Sequence, residues 1–140
     1  MIYAATKAIE AAMKEKDLKY DLQETDSSSA IRLGFSRDGY SFSIHFISKD
    51  DDPDVAVRVF DLINIPEAKR SALFSTLNDL NKKYRYFKFY LNSNDGLNVE
   101  YDFPLSISIE QVGKLAIETI ARAFKILDDV YPTVMKALWS

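Results

Sequence analysis

The side chains that most often carry enzymatic chemistry are scarce in this sequence. Its 140 residues include no cysteine and one histidine, His45. The lack of cysteine excludes disulfides, thiolate metal sites and cysteine nucleophiles, and a single histidine excludes a metal site with two histidines from one chain. No serine lies in a G-x-S-x-G motif. We expect His45 to be solvated or hydrogen-bonded on a strand, with proton sensing near pH ~6.5 as the alternative.

The carboxylates are grouped, but their grouping does not indicate catalysis. Glu100 with Asp102, and Asp128 with Asp129, are pairs that a glycosidase would have to place across a cleft. The run Asp50–Asp54 lacks the central glycine and the closing glutamate of a calcium loop. We interpret both pairs as exposed and the run as a solvated loop, with weak divalent binding as the alternative. Phosphate-binding glycine motifs are also absent, so we expect no enzyme, metal or cofactor.

Basic and aromatic residues are interleaved from Lys82 to Lys88. Single-stranded nucleic acid binders use this mixture, because bases stack on aromatic rings and cations meet phosphates. However, 18 Lys and Arg against 21 Asp and Glu give a net charge of −3, and nucleic-acid binders usually carry a basic excess. We therefore expect the cations to complement a helix C-terminus and Phe87 and Phe89 to point into a core.

Two asparagines three residues apart, Asn78 and Asn81, lie on one side of a predicted helix. Their amides can hydrogen-bond backbone near the helix end, or they can form a polar recognition pair for a peptide or small ligand. A ligand-sensing pocket would also use Tyr101. The candidate binding residues are Asn78, Asn81, Tyr84, Arg85, Tyr86 and Lys88.

The elements that position these residues follow from the hydrophobic periodicity. Apolar residues at three- and four-residue spacing predict helices over 2–16, 66–83 and 107–139. Alternating patterns predict strands over 18–22, 30–36, 40–47, 55–63, 86–91 and 97–103. Ser108 and Gln111 form a capping-box pattern, and Pro132 should kink the last helix or begin another. The order α-β-β-β-β-α-β-β-α predicts an α+β fold with a single antiparallel sheet of five to six strands, in one domain over residues 1–140.

The middle of the chain resembles the YbjN family of bacterial proteins. The resemblance is carried by Ile65–Lys69, by Leu77–Asn81 with its N-x-x-N element, and by the aromatic-lysine-aromatic strand Tyr86–Phe89. The Asp95-Gly96 turn and the long last helix extend it to about residues 15–138. It implies a fold like that of type III secretion chaperones, which commonly dimerise and hold a partner polypeptide. It also implies a regulator of sensory transduction or stress, without catalytic residues.

The last helix carries a wider apolar stripe than one contact with a sheet needs, so we predict a homodimer. The predicted interface residues are Phe124, Leu127, Tyr131, Leu138 and Trp139. With the resemblance, this favours a non-enzymatic protein-interaction module whose sheet edge or apolar patch binds an unknown protein partner or client polypeptide. A small-ligand sensor and, behind it, a nucleic-acid accessory protein are the alternatives. Lys7 and Glu10 interrupt any signal-peptide core and no apolar run could span a membrane, so we expect a cytoplasmic protein.

Overall fold

One antiparallel sheet organises the protein. The computed structural model describes residues 2–49, 54–105 and 108–140, and within them the sheet has six strands in the spatial order β1-β2-β3-β4-β6-β5. The edges are therefore β1 and β5. In chain order the strands are β1 (Asp21–Glu24), β2 (Ser28–Ser36), β3 (Ser41–Lys49), β4 (Asp54–Val59), β5 (Lys88–Leu91) and β6 (Leu97–Pro104).

Three helices complete the fold: α1 (Ala4–Glu15), α2 (Arg70–Lys83) and α3 (Ile109–Leu138), with a short 3₁₀ turn at Glu67–Lys69 before α2. The predicted α+β class and the predicted order of elements are confirmed. The likeness to type III secretion chaperones stays a prediction. Of the helices formed by the described residues, none is long and apolar enough to cross a membrane.

The first strand begins later than predicted, because the end of α1 uses the residues in between. Asp17 adopts a left-handed conformation with φ 54°. The Leu18 N–H then donates to the Met13 carbonyl at 2.9 Å, and the Asp17 N–H donates to the Lys14 carbonyl at 3.1 Å. This is a Schellman-type helix end. Residues 18–22 alternate between apolar and polar, so the sequence predicted a strand where the end of the helix lies.

Strand β4 ends at Val59 instead of continuing to residue 63 as predicted. Asp61 has φ 51°, which a strand cannot accommodate. The Asp61 N–H donates to the Asn98 side chain at 3.0 Å, and the chain then resumes pairing where the Leu62 N–H donates to the Leu97 carbonyl at 2.8 Å.

The predictions about the two ends of α3 were partly wrong. Ser108 precedes the helix but makes no side-chain capping bond; the Gln111 N–H donates to the Ser108 carbonyl at 2.9 Å instead. Pro132 lies inside one continuous 30-residue helix and begins no second one. Tyr131 beside it stacks on Tyr40, and Val130 and Val134 are buried; such tertiary packing can hold a helix through a proline.

The helices cover one face of the sheet and leave the other face open. In β3 and β4 every second residue is buried, which is the period of a strand with one covered side. α1 and α3 pack closely at Gly113, where an added Cβ would lie 2.9 Å from the Ala8 carbonyl oxygen. The core under the covered face includes Ile31, Leu33, Ile44, Phe46, Val57, Phe89, Val99, Phe103, Val112, Leu127 and Val130.

Candidate functional site

The two edges of the sheet differ, and the difference begins with Asn81. At the β5 edge the Asn81 side chain binds both backbone groups of Phe89: Asn81 Oδ1 accepts from the Phe89 N–H at 2.8 Å, and Asn81 Nδ2 donates to the Phe89 carbonyl at 3.0 Å. The amide thereby takes the place of a neighbouring strand at this position. Since unpaired edge groups are what a partner strand needs, Asn81 closes the middle of the β5 edge.

Lys88 and Tyr84 join the same end of α2 to its surroundings. Lys88 Nζ donates to the carbonyls of Asn81 at 3.0 Å and Tyr84 at 3.1 Å, as cations often do at helix C-termini. The Tyr84 hydroxyl donates to Asp129 of α3. Three of the six candidate binding residues, Asn81, Tyr84 and Lys88, are thus engaged in contacts within the chain.

The other three candidates are exposed around that point. Asn78 and Arg85 are exposed, and the Tyr86 ring lies under the Arg122 guanidinium, 4.0 Å from it. Phe87 and Phe89 are buried, as the sequence predicted. None of the four surface cavities beside α1, α2, the β2–β3 hairpin and β1 gathers the six residues.

The β1 edge is open. All four residues of β1 are exposed, and no described strand lies on its outer side. The Thr25 N–H donates to the Ser28 carbonyl at 2.8 Å, and bonded and non-bonded pairs alternate along an antiparallel ladder. Because Thr25 and Ser28 form a bonded pair, the next bonded pairs along the register are Gln23 with Ala30 and Asp21 with Arg32. The N–H and C=O of Leu22 therefore point outward, toward an incoming strand.

A row of ionisable residues crosses the open face, one from each strand at the same level. Its members, here called the charged row, are Asp21, Arg32, His45, Arg58, Glu100 and Lys88, each directly opposite the next in the register.

Ion pairs organise the charged row around His45. Arg32 Nη1 lies 3.0 Å from Asp21 Oδ2. Arg58 Nε lies 3.4 Å from Glu100 Oε2, and Arg58 Nη1 lies 2.6 Å from Asp102 Oδ1. His45 thus lies between two arginines, each paired on its far side. Desolvation, and then the charge of Arg32, hold the pKa of His45 below its usual 6.5.

A shallow cavity lies on the open face beside β1. It has a volume of about 300 Å³, and the Phe60 ring packs edge-on against His45 with centroids 5.1 Å apart. The residues that line it include Gln23, Thr25, Ala30, His45, Ile47 and Phe60. An apolar floor beside an open edge can receive a side chain from a segment that pairs with that edge.

The predicted dimer residues are divided between the core and the surface. Leu127 and Leu138 are 1% and 2% exposed, because their own chain covers them, so neither can contact a second copy as it stands. The Phe124 ring packs edge-on against the Phe35 ring with centroids 4.8 Å apart, and the Tyr131 ring stacks on the Tyr40 ring with centroids 4.6 Å apart. Trp139 is 69% exposed and is the one member of the predicted set that offers a large free apolar surface.

The predicted carboxylate pair Asp128 and Asp129 is structural. Asp128 accepts from Arg37 Nη2 at 2.6 Å and from the Tyr40 hydroxyl at 2.7 Å. These hydrogen bonds lower the pKa of Asp128. Asp129 accepts from Lys83 Nζ at 2.9 Å as well as from Tyr84, and the pKa of Asp129 is lowered by these bonds, the one from Tyr84 first.

The acidic run falls mostly outside the described residues, which omit Asp50, Asp51, Asp52 and Pro53. Among the residues that are described, no group of three or more metal-binding side chains comes together.

Sequence reasoning did not identify the open β1 edge or the charged row. The one indication in the sequence was the alternation of residues 18–22, which put Asp21 on the polar face of the predicted strand. The register of six strands was needed to bring residues as far apart as Asp21 and Glu100 to one level.

Comparison with known families supplies one match. The YbjN family model, described as "Putative bacterial sensory transduction regulator", matches residues 6–134. A search of curated proteins found no match.

Proposed function

The chain belongs to the YbjN family, and from that premise we propose that it is a non-enzymatic regulatory adaptor that binds an extended segment of a partner protein along β1. The observation that carries the proposal is the difference between the two sheet edges. Asn81 occupies the backbone groups of Phe89 at the β5 edge, whereas β1 is exposed along its whole length. Strand addition uses such main-chain groups for affinity and nearby side-chain pockets for specificity.

The side chains around β1 suit this role. Leu22 is a large apolar side chain that is 39% exposed at the edge, on the helix side of the sheet, and the cavity floored by Ala30 and Ile47 lies on the opposite, open face. A docked segment would cover both. The contacts of Tyr84 and Lys88 within the chain support this surface over the ligand-sensor and nucleic-acid alternatives, which needed those side chains.

Site-specific photo-cross-linking tests the proposal. A photoreactive phenylalanine analogue is placed at Leu22 and, in a matched variant, at Tyr90, which is 38% exposed on the other edge strand. We expect a discrete adduct with another protein from position 22 and none from position 90, in living cells of the host.

Two outcomes would contradict the proposal. Equal labelling from both positions would show that the edges do not differ in what they bind. An adduct at twice the mass of the chain would show that a second copy, and not a partner segment, occupies β1.

We also propose that the adaptor is a homodimer that acts in the cytoplasm. The support for a dimer is now the exposed Trp139 at the end of α3, and the complete lack of cysteine suits a reducing compartment. The docking of an extended segment at β1 does not require the dimer, since β1 and Trp139 belong to different elements.

A further inference from the structure

We infer that the segment that binds β1 is basic, with an apolar residue next to a lysine or arginine in an extended strand. This inference rests on the proposed function and adds the chemistry of the partner to it. The occupant is a segment of another protein, chosen by charge and by the geometry of the edge.

The ionisable side chains of β1 and of the turn after it are all acidic. From Tyr20 to Ser27 the chain carries three carboxylates and no lysine, arginine or histidine: Asp21, Glu24 and Asp26. All three residues are exposed. Opposite charges on facing strands stabilise a pair and like charges destabilise it. The same charge argues against a second copy, because pairing β1 with another β1 would bring carboxylates together.

Asp21 can accept a second cation. One of its oxygens, Oδ2, lies 3.0 Å from Arg32 Nη1, and the Asp21 side chain remains 67% exposed. A carboxylate has about four acceptor positions. A lysine or arginine on an added strand, directly opposite Asp21, would extend the charged row by one position and alternate with it in sign.

The geometry of β1 fixes where the apolar residue lies. Leu22 offers its N–H and C=O outward, so the partner residue opposite Leu22 forms the bonded pair. Its side chain lies on the helix side of the sheet, next to the exposed Leu22 side chain, while the residue opposite Asp21 lies on the open face. In an antiparallel strand the apolar residue is therefore followed directly by the basic residue.

Binding of two designed peptides tests the inference on the full chain. Both are fluorescein-labelled nine-residue peptides, one alternating valine with lysine and the other alternating valine with glutamate, measured by fluorescence anisotropy at about 0.15 M salt to screen distant charges. We expect the lysine peptide to bind about fivefold tighter or more. Asp21→Lys should bring the two affinities to within about twofold. Glu118→Lys, an equal change of charge at an exposed position of α3, should leave the preference unchanged.

Backbone variants separate this inference from the proposed function. Leu22→Pro removes the outward N–H without removing a bond to β2, and Leu22→Val keeps that N–H. We expect Leu22→Pro to abolish binding of the lysine peptide and Leu22→Val to retain it, with circular dichroism confirming that both fold. Suppose that the two peptides bind the wild type equally well and that Leu22→Pro abolishes the binding of both. Strand addition then stands, and the basic preference is overturned.

Other results overturn more. If the lysine peptide binds equally to the wild type and Leu22→Pro, or if Glu118→Lys weakens it as much as Asp21→Lys, the attraction is general electrostatics and strand addition loses its support as well. If neither peptide binds, the inference is overturned, and the cross-link at position 22 decides the proposed function separately.

Discussion

Asp128 and Asp129 are consecutive residues of α3, yet their carboxylates hold different parts of the molecule. Asp128 binds Arg37 and Tyr40 of the β2–β3 hairpin, and Asp129 binds Lys83 and Tyr84 at the end of α2. Successive helical residues point about 100° apart, so one turn of α3 reaches both. The bonds of Asp129 help to hold the end of α2, where Asn81 closes the β5 edge.

Acid should therefore loosen these connections. The pKa of each aspartate is lowered from 3.8 by hydrogen bonds in the folded state. A depressed pKa contributes stability that is present above the unfolded value and is lost as the pH falls below it. Replacing both residues with asparagine should lower stability at neutral pH and flatten its decline at acid pH. Urea unfolding between about pH 3 and pH 7 measures this; a double variant with an unchanged acid slope would contradict it.

His45 should titrate below its ordinary pKa of 6.5. Because desolvation is the first cause and the charge of Arg32 the second, Arg32→Gln should raise the pKa of His45 only part of the way toward 6.5. The unfolded chain then binds a proton more readily than the folded chain, so stability should decline as the pH falls through 6.5. Titration of the histidine ring by NMR tests both statements. A wild-type pKa above 6.5 would contradict desolvation and the charge of Arg32 as the dominant influences on His45.

Gly96 should not tolerate alanine. An added Cβ would overlap the Asp61 carboxylate and lie 2.8 Å from Asn92 Nδ2, and Asn92 itself donates to Asp61 at 2.8 Å. We expect Gly96→Ala to destabilise the protein by about 2 kcal/mol. Gly34→Ala, whose Cβ would meet Ser43 Oγ at an ordinary 3.7 Å, is the control and should be neutral or stabilising.

The conformation of Asp61 permits a rescue of the Gly96 variant. Since φ at Asp61 is 51°, glycine suits that position, and removing its side chain makes room for the new methyl group. Thermal melting should show Asp61→Gly restoring part of the loss in the double variant. If the effects of Gly96→Ala and Asp61→Gly on stability simply add in the double variant, the overlap with the Asp61 carboxylate is not the cause of the loss.

The spacing of apolar residues predicted the helices and strands well. It did not predict which of their side chains and backbone groups remain accessible to a partner. Alternation predicted the strand over 40–47, and its apolar positions Phe42, Ile44 and Phe46 are buried, because a covered face imposes a period of two. It could not show that the apolar surplus of α3 at Leu127 and Leu138 is covered by its own chain. Nor could it show that Asn81 faces Phe89, since that contact depends on where α2 lies against β5. Burial and edge availability are tertiary properties that spacing along the chain does not encode.

Trp139 should control self-association. It is 69% exposed, so Trp139→Lys removes apolar surface without opening the core. We expect this variant to be a monomer by light scattering while the parent is a dimer, with the same melting temperature at low concentration. Ile109→Lys, at the exposed other end of α3, should remain a dimer. Leu138→Lys is unsuitable, because a charge at this buried site would unfold the chain. A monomeric parent, or a dimeric Trp139→Lys, would falsify the dimer.

Asn81→Ala should open the edge that the wild-type protein keeps closed. Without the amide, the N–H and C=O of Phe89 lose their partners, and the folded state should be destabilised by about 1–2 kcal/mol. The exposed groups also become available to other strands. The variant should therefore self-associate with increasing concentration, and a photoreactive residue at Tyr90 should begin to give adducts. Asn78→Ala, an exposed asparagine one turn earlier in α2, should change stability by less than about 0.5 kcal/mol and give no adducts. If Asn81→Ala loses stability but position 90 stays silent, Asn81 supports the fold without guarding the edge, and the asymmetry between β1 and β5 has another origin.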